Sequence, residues 1–458
     1  MRRLFPLLAM VLLIAVGMFT TTWGPSMIGR SEWALPYDLW GTLVAATRLT
    51  HLDLGGLYTQ PTGLVSLPGA AVILIPVAAV IDAAGLSLRL PGPENLHPTV
   101  WLAAGPYQIA VSCVTLFAAD ALAEQLGVSR GRRALLTAAS MGALWSVCAR
   151  WGHPEDAVAV GLLLYSVLAL SRSRTVPAGW LAGAAVAVQP LVLLALPVLL
   201  AVLPVRRMPG FLVRAALPAV VLLGAAALAN WQATVTAVTR QPNSPLINHP
   251  TAWTSLAPHM SGGNVAAGPA RAVTILLACC CALLVRRRWL ALISGVPPTR
   301  ASPDPVAPAG PARWPAAMLA DILWWAALTL ALRSFFEPVM VSYYPWPALA
   351  VALIPAARGF PATQGWRRLI AASVIAGGLT AAAQGPSHDV WIWWFPLVAG
   401  LAVLLAVARP RVFAPVRGTT ASADGTMSVP GAALERSGKS ISKPQPGQAP
   451  SASAVPSE

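Results

Sequence analysis

The chain has 458 residues, of which only 10% are charged and 56% are hydrophobic, with a mean hydropathy of +0.65. A water-covered surface needs about a quarter of residues charged, so this composition excludes an ordinary soluble domain and points to lipid as the solvent. The formal charge of +15 does not call for nucleic acid, because basic clusters set between apolar runs are the cytoplasmic anchors of membrane spans. Strand-like alternation is absent and alanine and leucine dominate, so the spans are helices and not a barrel.

The sequence predicts an all-α, polytopic transmembrane protein of about 12 spans, within a range of 10–13. Met1-Arg2-Arg3 followed by an apolar run resembles a signal peptide, but no A-x-A site follows, so an uncleaved first helix over 4–22 is expected, starting on the inside. A first outer loop over 23–98 comes next, in which residues 61–86 are apolar enough to span. Spanning there would push Arg130–Arg133 outside, so that stretch is read as interfacial or re-entrant. Further spans are expected at 100–122, 134–149, 156–171, 212–229, 270–286, 315–332, 339–357, 369–384 and 391–408. Residues 178–204 have basic residues at both ends and must return to the side they left; Gly183, Pro190 and Pro197 break them into two short helices. A cytoplasmic linker over 289–314 is rich in proline and alanine, and the tail 414–458 reads as disordered and cytoplasmic, leaving one membrane domain over 1–413.

This topology puts 24 of the 31 lysines and arginines inside or in the tail, and it puts all six histidines and nine of the sixteen acids outside. A cell-membrane location with both termini cytoplasmic follows, as does an outward-facing site. The five cysteines lie in apolar runs without metal-ligand spacing and read as small core residues.

Three places carry chemistry. Asp38, about fifteen residues after the first span, is a carboxylate held near the membrane surface, suited to general-base work or to capping a helix. Trp151-Gly152-His153-Pro154-Glu155-Asp156 sets three ionisable groups at a membrane boundary, where they need a cavity or water. The acids there also suit the N-terminus of the following helix. Arg333 lies at the outer end of a span, against the positive-inside bias; it either pairs with Glu337 or holds a lipid-linked phosphate in its planar fork. The outer loop 230–269 adds Asn243, Asn248, His249, Trp253 and His259, groups suited to a sugar.

These pieces in this order resemble the membrane glycosyltransferases of the C superfamily, in particular the polyprenyl-phosphate-mannose-dependent α-mannosyltransferases of actinobacteria. The resemblance rests on Tyr37-Asp38, Ala45-Ala46, Gly55-Gly56-Leu57-Tyr58, the stretch from Pro61 to Pro76, and WGHPEDAVAVGLLLYSVLAL followed by GWLAGAAVAVQPLVLLALPVLL. It covers roughly residues 30–205, and the rest by topology alone. The family often carries a lysine before the proline of that last segment, where this chain has Gln189. The resemblance implies an inverting transfer of a sugar, expected to be mannose, from a polyprenyl-phosphate donor to an extracytoplasmic glycolipid, glycan or protein. Asp38 would be the general base, Glu155 or Asp156 with His153 would orient substrate or help hold a divalent cation, and Arg333 would neutralise the leaving phosphate. Tyr58, Gln189 and His249 complete the expected substrate contacts. A flippase of lipid-linked sugars, with Asp120, Glu124 and Asp321 along its path, and a non-catalytic scaffold of envelope assembly are the other readings.

Overall fold

In a computed structural model of the chain, the described residues are 3–23, 36–59, 64, 66–88, 99–239, 243–294, 314–359 and 362–410. The first of its two units, Met1–Val412, is helical; the second, Phe413–Glu458, lies outside the described residues, as do most of the expected linker and the whole of the expected tail. In chain order the helices are α1 (Leu4–Trp23), α2 (Tyr37–Thr50), α3 (Gly69–Val72), α4 (Ile75–Ala83), α5 (Trp101–Ser112), α6 (Val114–Gln125), α7 (Arg130–Trp145), α8 (Pro154–Ser171) and α9 (Thr175–Val188). They continue as α10 (Leu196–Ala201), α11 (Met208–Ala229), α12 (Trp231–Thr239), α13 (Gly268–Ser294), α14 (Ala316–Phe336), α15 (Trp346–Ala356), α16 (Ala362–Ala382) and α17 (Phe395–Ala408). Two-residue strands β1 (His249–Pro250) and β2 (Val339–Met340) pair antiparallel, His249 opposite Met340.

Among the described residues six helical segments are long and apolar enough to cross a membrane: Trp101–Gln125, Pro154–Ser171, Val205–Ala229, Gly268–Ala291, Ala316–Phe336 and Val390–Ala408. This is a membrane protein with fewer self-evident spans than the sequence suggested. The expected span 339–357 is instead α15, 11 residues and about 16 Å long. It is shortened because Tyr343–Pro345 turn before it. α7 is a regular helix, but three arginines in its first turn take it out of the purely apolar set. α3 and α4, within 61–86, are each too short to cross ~30 Å of hydrocarbon. The break expected in 178–204 falls at Gln189, whose backbone is extended (φ −149°, ψ 117°) ahead of Pro190.

The basic clusters gather at one end of the bundle and are joined there by contacts. Buried Asp120 is held by Arg3 and Arg133, each at 2.6 Å, and Arg3 also reaches Glu124 at 2.8 Å. Gln125 donates to Ser171 (2.7 Å) and accepts from Arg172 (3.2 Å), while the Trp314 amide donates to the Ser171 carbonyl (2.9 Å). Arg132 reaches the carbonyl of Ala357 (2.9 Å), and Arg368 that of Arg358 (3.1 Å). α7, α8 and α14 all touch this end, so the far ends of the same helices bring Arg150, His153 and Arg333 toward the opposite end.

Candidate functional site

Four segments build the site at that opposite end. The first is the start of α2, where Pro36 fixes the chain and its carbonyl accepts from the Trp40 amide at 2.9 Å. Asp38 stands in that first turn with 43% of its side chain exposed. Trp40 anchors the helix by donating to the carbonyl of Leu88 at 2.7 Å.

The second segment is the turn between α7 and α8. α7 widens into a π-helical turn over Ser146–Arg150, the kind of irregularity that re-aims side chains at functional sites. Gly152 then adopts φ +70°, and a Cβ at this position would lie 2.8 Å from Pro36 Cγ and 2.9 Å from Leu39 Cβ. Glycine is therefore needed twice, for the left-handed backbone and for the close approach to α2. The approach seats buried His153 beside Asp38: Nε2 lies 3.1 Å from Asp38 Oδ2, and Nδ1 lies 2.7 Å from Glu155 Oε1. The first of these is an ion-pair contact whose N–H is not aligned on an oxygen. Pro154 opens α8, and Glu155 and Asp156 occupy its first turn, where the helix dipole favours carboxylates.

Burial pushes His153 toward the neutral form, but the charge of Glu155, the contacts with Asp38 and Glu155, and the charge of Asp38 outweigh it, so its pKa stands well above the usual imidazole value. Asp38 is desolvated too, which raises its pKa, yet the His153 contact and charge bring it below the usual carboxylate range. At neutral pH Asp38 and His153 therefore meet as carboxylate and imidazolium.

The third segment is the break after α9. Gln189 donates to Asp156 Oδ1 at 2.6 Å and lies 3.4 Å from the Ser66 hydroxyl, whose carbonyl accepts from Tyr58 at 3.1 Å. Burial raises the Tyr58 pKa, so it stays a neutral donor. α3 reaches this break because Gly69 sits directly on the Ala187 carbonyl, where any side chain would collide.

The fourth segment is the end of α14 and the turn after it. The Arg333 guanidinium lies over the Tyr344 ring, 3.6 Å from its centroid, within electrostatic reach of Asp156 and Glu337. It donates no hydrogen bond to any described residue, so its donors remain available to an anion. The alternative pairing of Arg333 with Glu337 is not what forms: buried Glu337 pairs with Arg271 at 2.9 Å. Tyr343 covers His153 with ring centroids 4.2 Å apart and lies 6.0 Å from the Trp151 ring.

Asp38, His153, Glu155, Asp156 and Gln189 thus form one connected group. Tyr58 joins it through Ser66, and Arg333 through its field on Asp156. His249 does not join it. It stacks on Trp393 (3.6 Å, 10°), its Nδ1 lies 2.8 Å from the Ser387 carbonyl, and burial lowers its pKa. Sequence reasoning missed Tyr343 as the cover of His153 and Arg271 as the partner of Glu337; both depend on contacts between distant segments. Among the described residues no group of three or more His, Cys, Asp or Glu is arranged to hold a metal ion. Both nitrogens of His153 face carboxylates, so it could ligate a cation only by giving one of them up.

Compared with protein-family models and with curated proteins, the chain matches none.

Proposed function

We propose that the chain is an integral-membrane glycosyltransferase of the C-superfamily type, moving mannose from a polyprenyl-phosphate donor to a hydroxyl on an extracytoplasmic glycolipid, glycan or protein acceptor. The acceptor oxygen bonds the anomeric carbon as that carbon's bond to the phosphate oxygen breaks. The hydroxyl proton passes to Asp38, the electron pair leaves on the phosphate, and Arg333 meets the charge that develops there. His153 orients Asp38 and is itself held by Glu155, while Gln189 fixes Asp156.

The observation that carries this reading is the meeting of Asp38 with His153, a part-exposed carboxylate against a buried imidazolium at the end of the bundle away from the basic clusters. With the basic end cytoplasmic, the site faces outward at the cell membrane and the N-terminus lies inside. About twelve crossings then follow, the short and broken helices completing the six long ones. An apolar cavity of about 560 Å³ along α4, α5, α6 and α8, lined by Val158 within a turn of Asp156, supplies room for a prenyl chain. A flippase path is less well supported. Asp120 is closed between Arg3 and Arg133, and Asp321 lies 3.8 Å from Arg288.

The test is transfer of labelled mannose from a polyprenyl-phosphate donor in membranes carrying the chain or its Asp38→Asn variant. Loss of the general base should lower the rate about 10²–10⁴-fold at equal protein level. Full activity in the variant would remove Asp38 from the reaction.

A further inference from the structure

A second groove runs between α7 and α16. Its volume is about 480 Å³, and Ala139, Gly142, Val374 and Gly377 line its apolar length. Ser146, Arg150 and Gln384 form its polar end. From Leu135 to Arg150 the groove follows α7 for about 22 Å at 1.5 Å per residue, longer than the ~15 Å of one leaflet. Gly142 and Gly377 are exposed, and nothing stands within 4 Å of where their Cβ atoms would be, so the groove is open to the lipid phase.

The polar end is wired to the site. Gln384 donates to the Ser146 hydroxyl at 2.9 Å and accepts from the Trp151 indole at 3.0 Å. Trp151 in turn abuts Tyr343, the ring that covers His153. Apolar walls of chain length ending in a guanidinium match a hydrocarbon chain that ends in a phosphate. Arginine has five donors, enough to grip a headgroup alongside its other contacts.

We propose that this groove binds one anionic phospholipid of the surrounding bilayer, its chain against Gly142 and Gly377 and its phosphate on Arg150. The bound lipid buttresses the Gln384–Trp151–Tyr343 arm that holds His153 in place. The proposal does not depend on the transferase reading.

The test uses the purified full-length chain in detergent, titrated with phosphatidylglycerol or phosphatidylcholine, with the melting temperature as readout and no sugar donor present. Phosphatidylglycerol should reach its half-maximal rise at roughly tenfold lower concentration, because both lipids offer Arg150 a phosphate but the choline cation of phosphatidylcholine offsets its charge. The Gly142→Leu/Gly377→Leu double variant fills the groove and should lose the rise with both lipids. Gly224→Leu, at another glycine with open space on α11, should keep it. Arg150→Gln should make the two lipids equal. Equal titrations in the unaltered chain, or a preference that survives groove filling, would overturn the proposal.

Discussion

Replacing Gly152 by alanine tests how the site is assembled without touching any charged group. Two costs add at this position. A left-handed backbone (φ +70°) costs a residue with a Cβ about 1–2 kcal/mol. The new Cβ would also stand 2.8–2.9 Å from Pro36 and Leu39, and relieving such overpacking costs about 1–3 kcal/mol more. Gly127 isolates the first cost, because it has φ +73° and nothing within 4 Å of where a methyl would stand. Gly127→Ala should therefore destabilise by the backbone cost alone, and Gly152→Ala by about 1–3 kcal/mol beyond it. Reversible unfolding of the purified variants in mixed detergent measures both. The clash also forces the 151–153 turn off α2, so Gly152→Ala should weaken transferase activity where Gly127→Ala does not. Equal losses of stability and activity in the two variants would mean that the contact between this turn and α2 is not what seats His153.

The raised pKa of His153 means that its pairing is complete below the ordinary imidazole value of about 6.5 and is lost as pH climbs through the raised value. Glu155→Gln removes the largest of the effects that raise it, so stability and transfer should begin to fall at lower pH than in the parent, as a pH series of melting curves would show. The depressed pKa of Asp38 acts at the other limb, its contribution fading only as acid protonates it, so neither group predicts a loss between these limits. Arg271→Gln strands Glu337, 5% exposed, without its cation. Because Arg271 itself is 43% exposed, the penalty should be about 1–3 kcal/mol, below that of a fully buried pair, and adding Glu337→Gln should recover most of it in a double-mutant cycle.

Much of the site could be read from local sequence because the local signals are physical. A proline before two acids, directly after an apolar run, can hardly be anything but a helix start at a membrane boundary. Gln189-Pro190 ends α9 because proline lacks an amide donor and forces the residue before it into extended backbone, although Pro106 and Pro218 are carried inside α5 and α11. That Asp38 and His153 would touch was only a consequence of placing both on one side of the bilayer; the reason they touch is Gly152 against Pro36, a contact across more than a hundred residues. The partner of Glu337 escaped the sequence for the same reason. Arg333 is four residues away, but the helix ends between them, and the stronger geometry comes from Arg271 on α13. The number of long spans is harder to read because hydropathy registers apolar residues and not helix length, so the turn at Tyr343–Pro345 left no mark in it, while the span expected at 134–149 started just past the arginines that open α7.

One departure from the pattern of the proposed family bears on how the site would meet an anionic donor. Counted with every acid formally charged, Asp38, Glu155 and Asp156 against His153 and Arg333 sum to one net negative charge, and a phosphodiester-linked sugar adds another. At the ~4 kcal/mol that two unit charges exchange at 4 Å in a medium of effective dielectric near 20, this repulsion is too large to ignore. The lysine that the proposed family often carries here would cancel it, but Gln189 is neutral and donates a hydrogen bond to Asp156. Donor binding should then draw a proton into the group, so the donor KM should fall as pH is lowered from about 8 to about 6.5, above the range in which Asp38 protonates. Gln189→Lys supplies the missing charge directly against Asp156; it should lower the donor KM about tenfold at pH 8 and flatten its pH dependence. A donor KM that ignores pH in the parent, or a lysine variant that keeps the slope, would show that the phosphate does not bind among these charges.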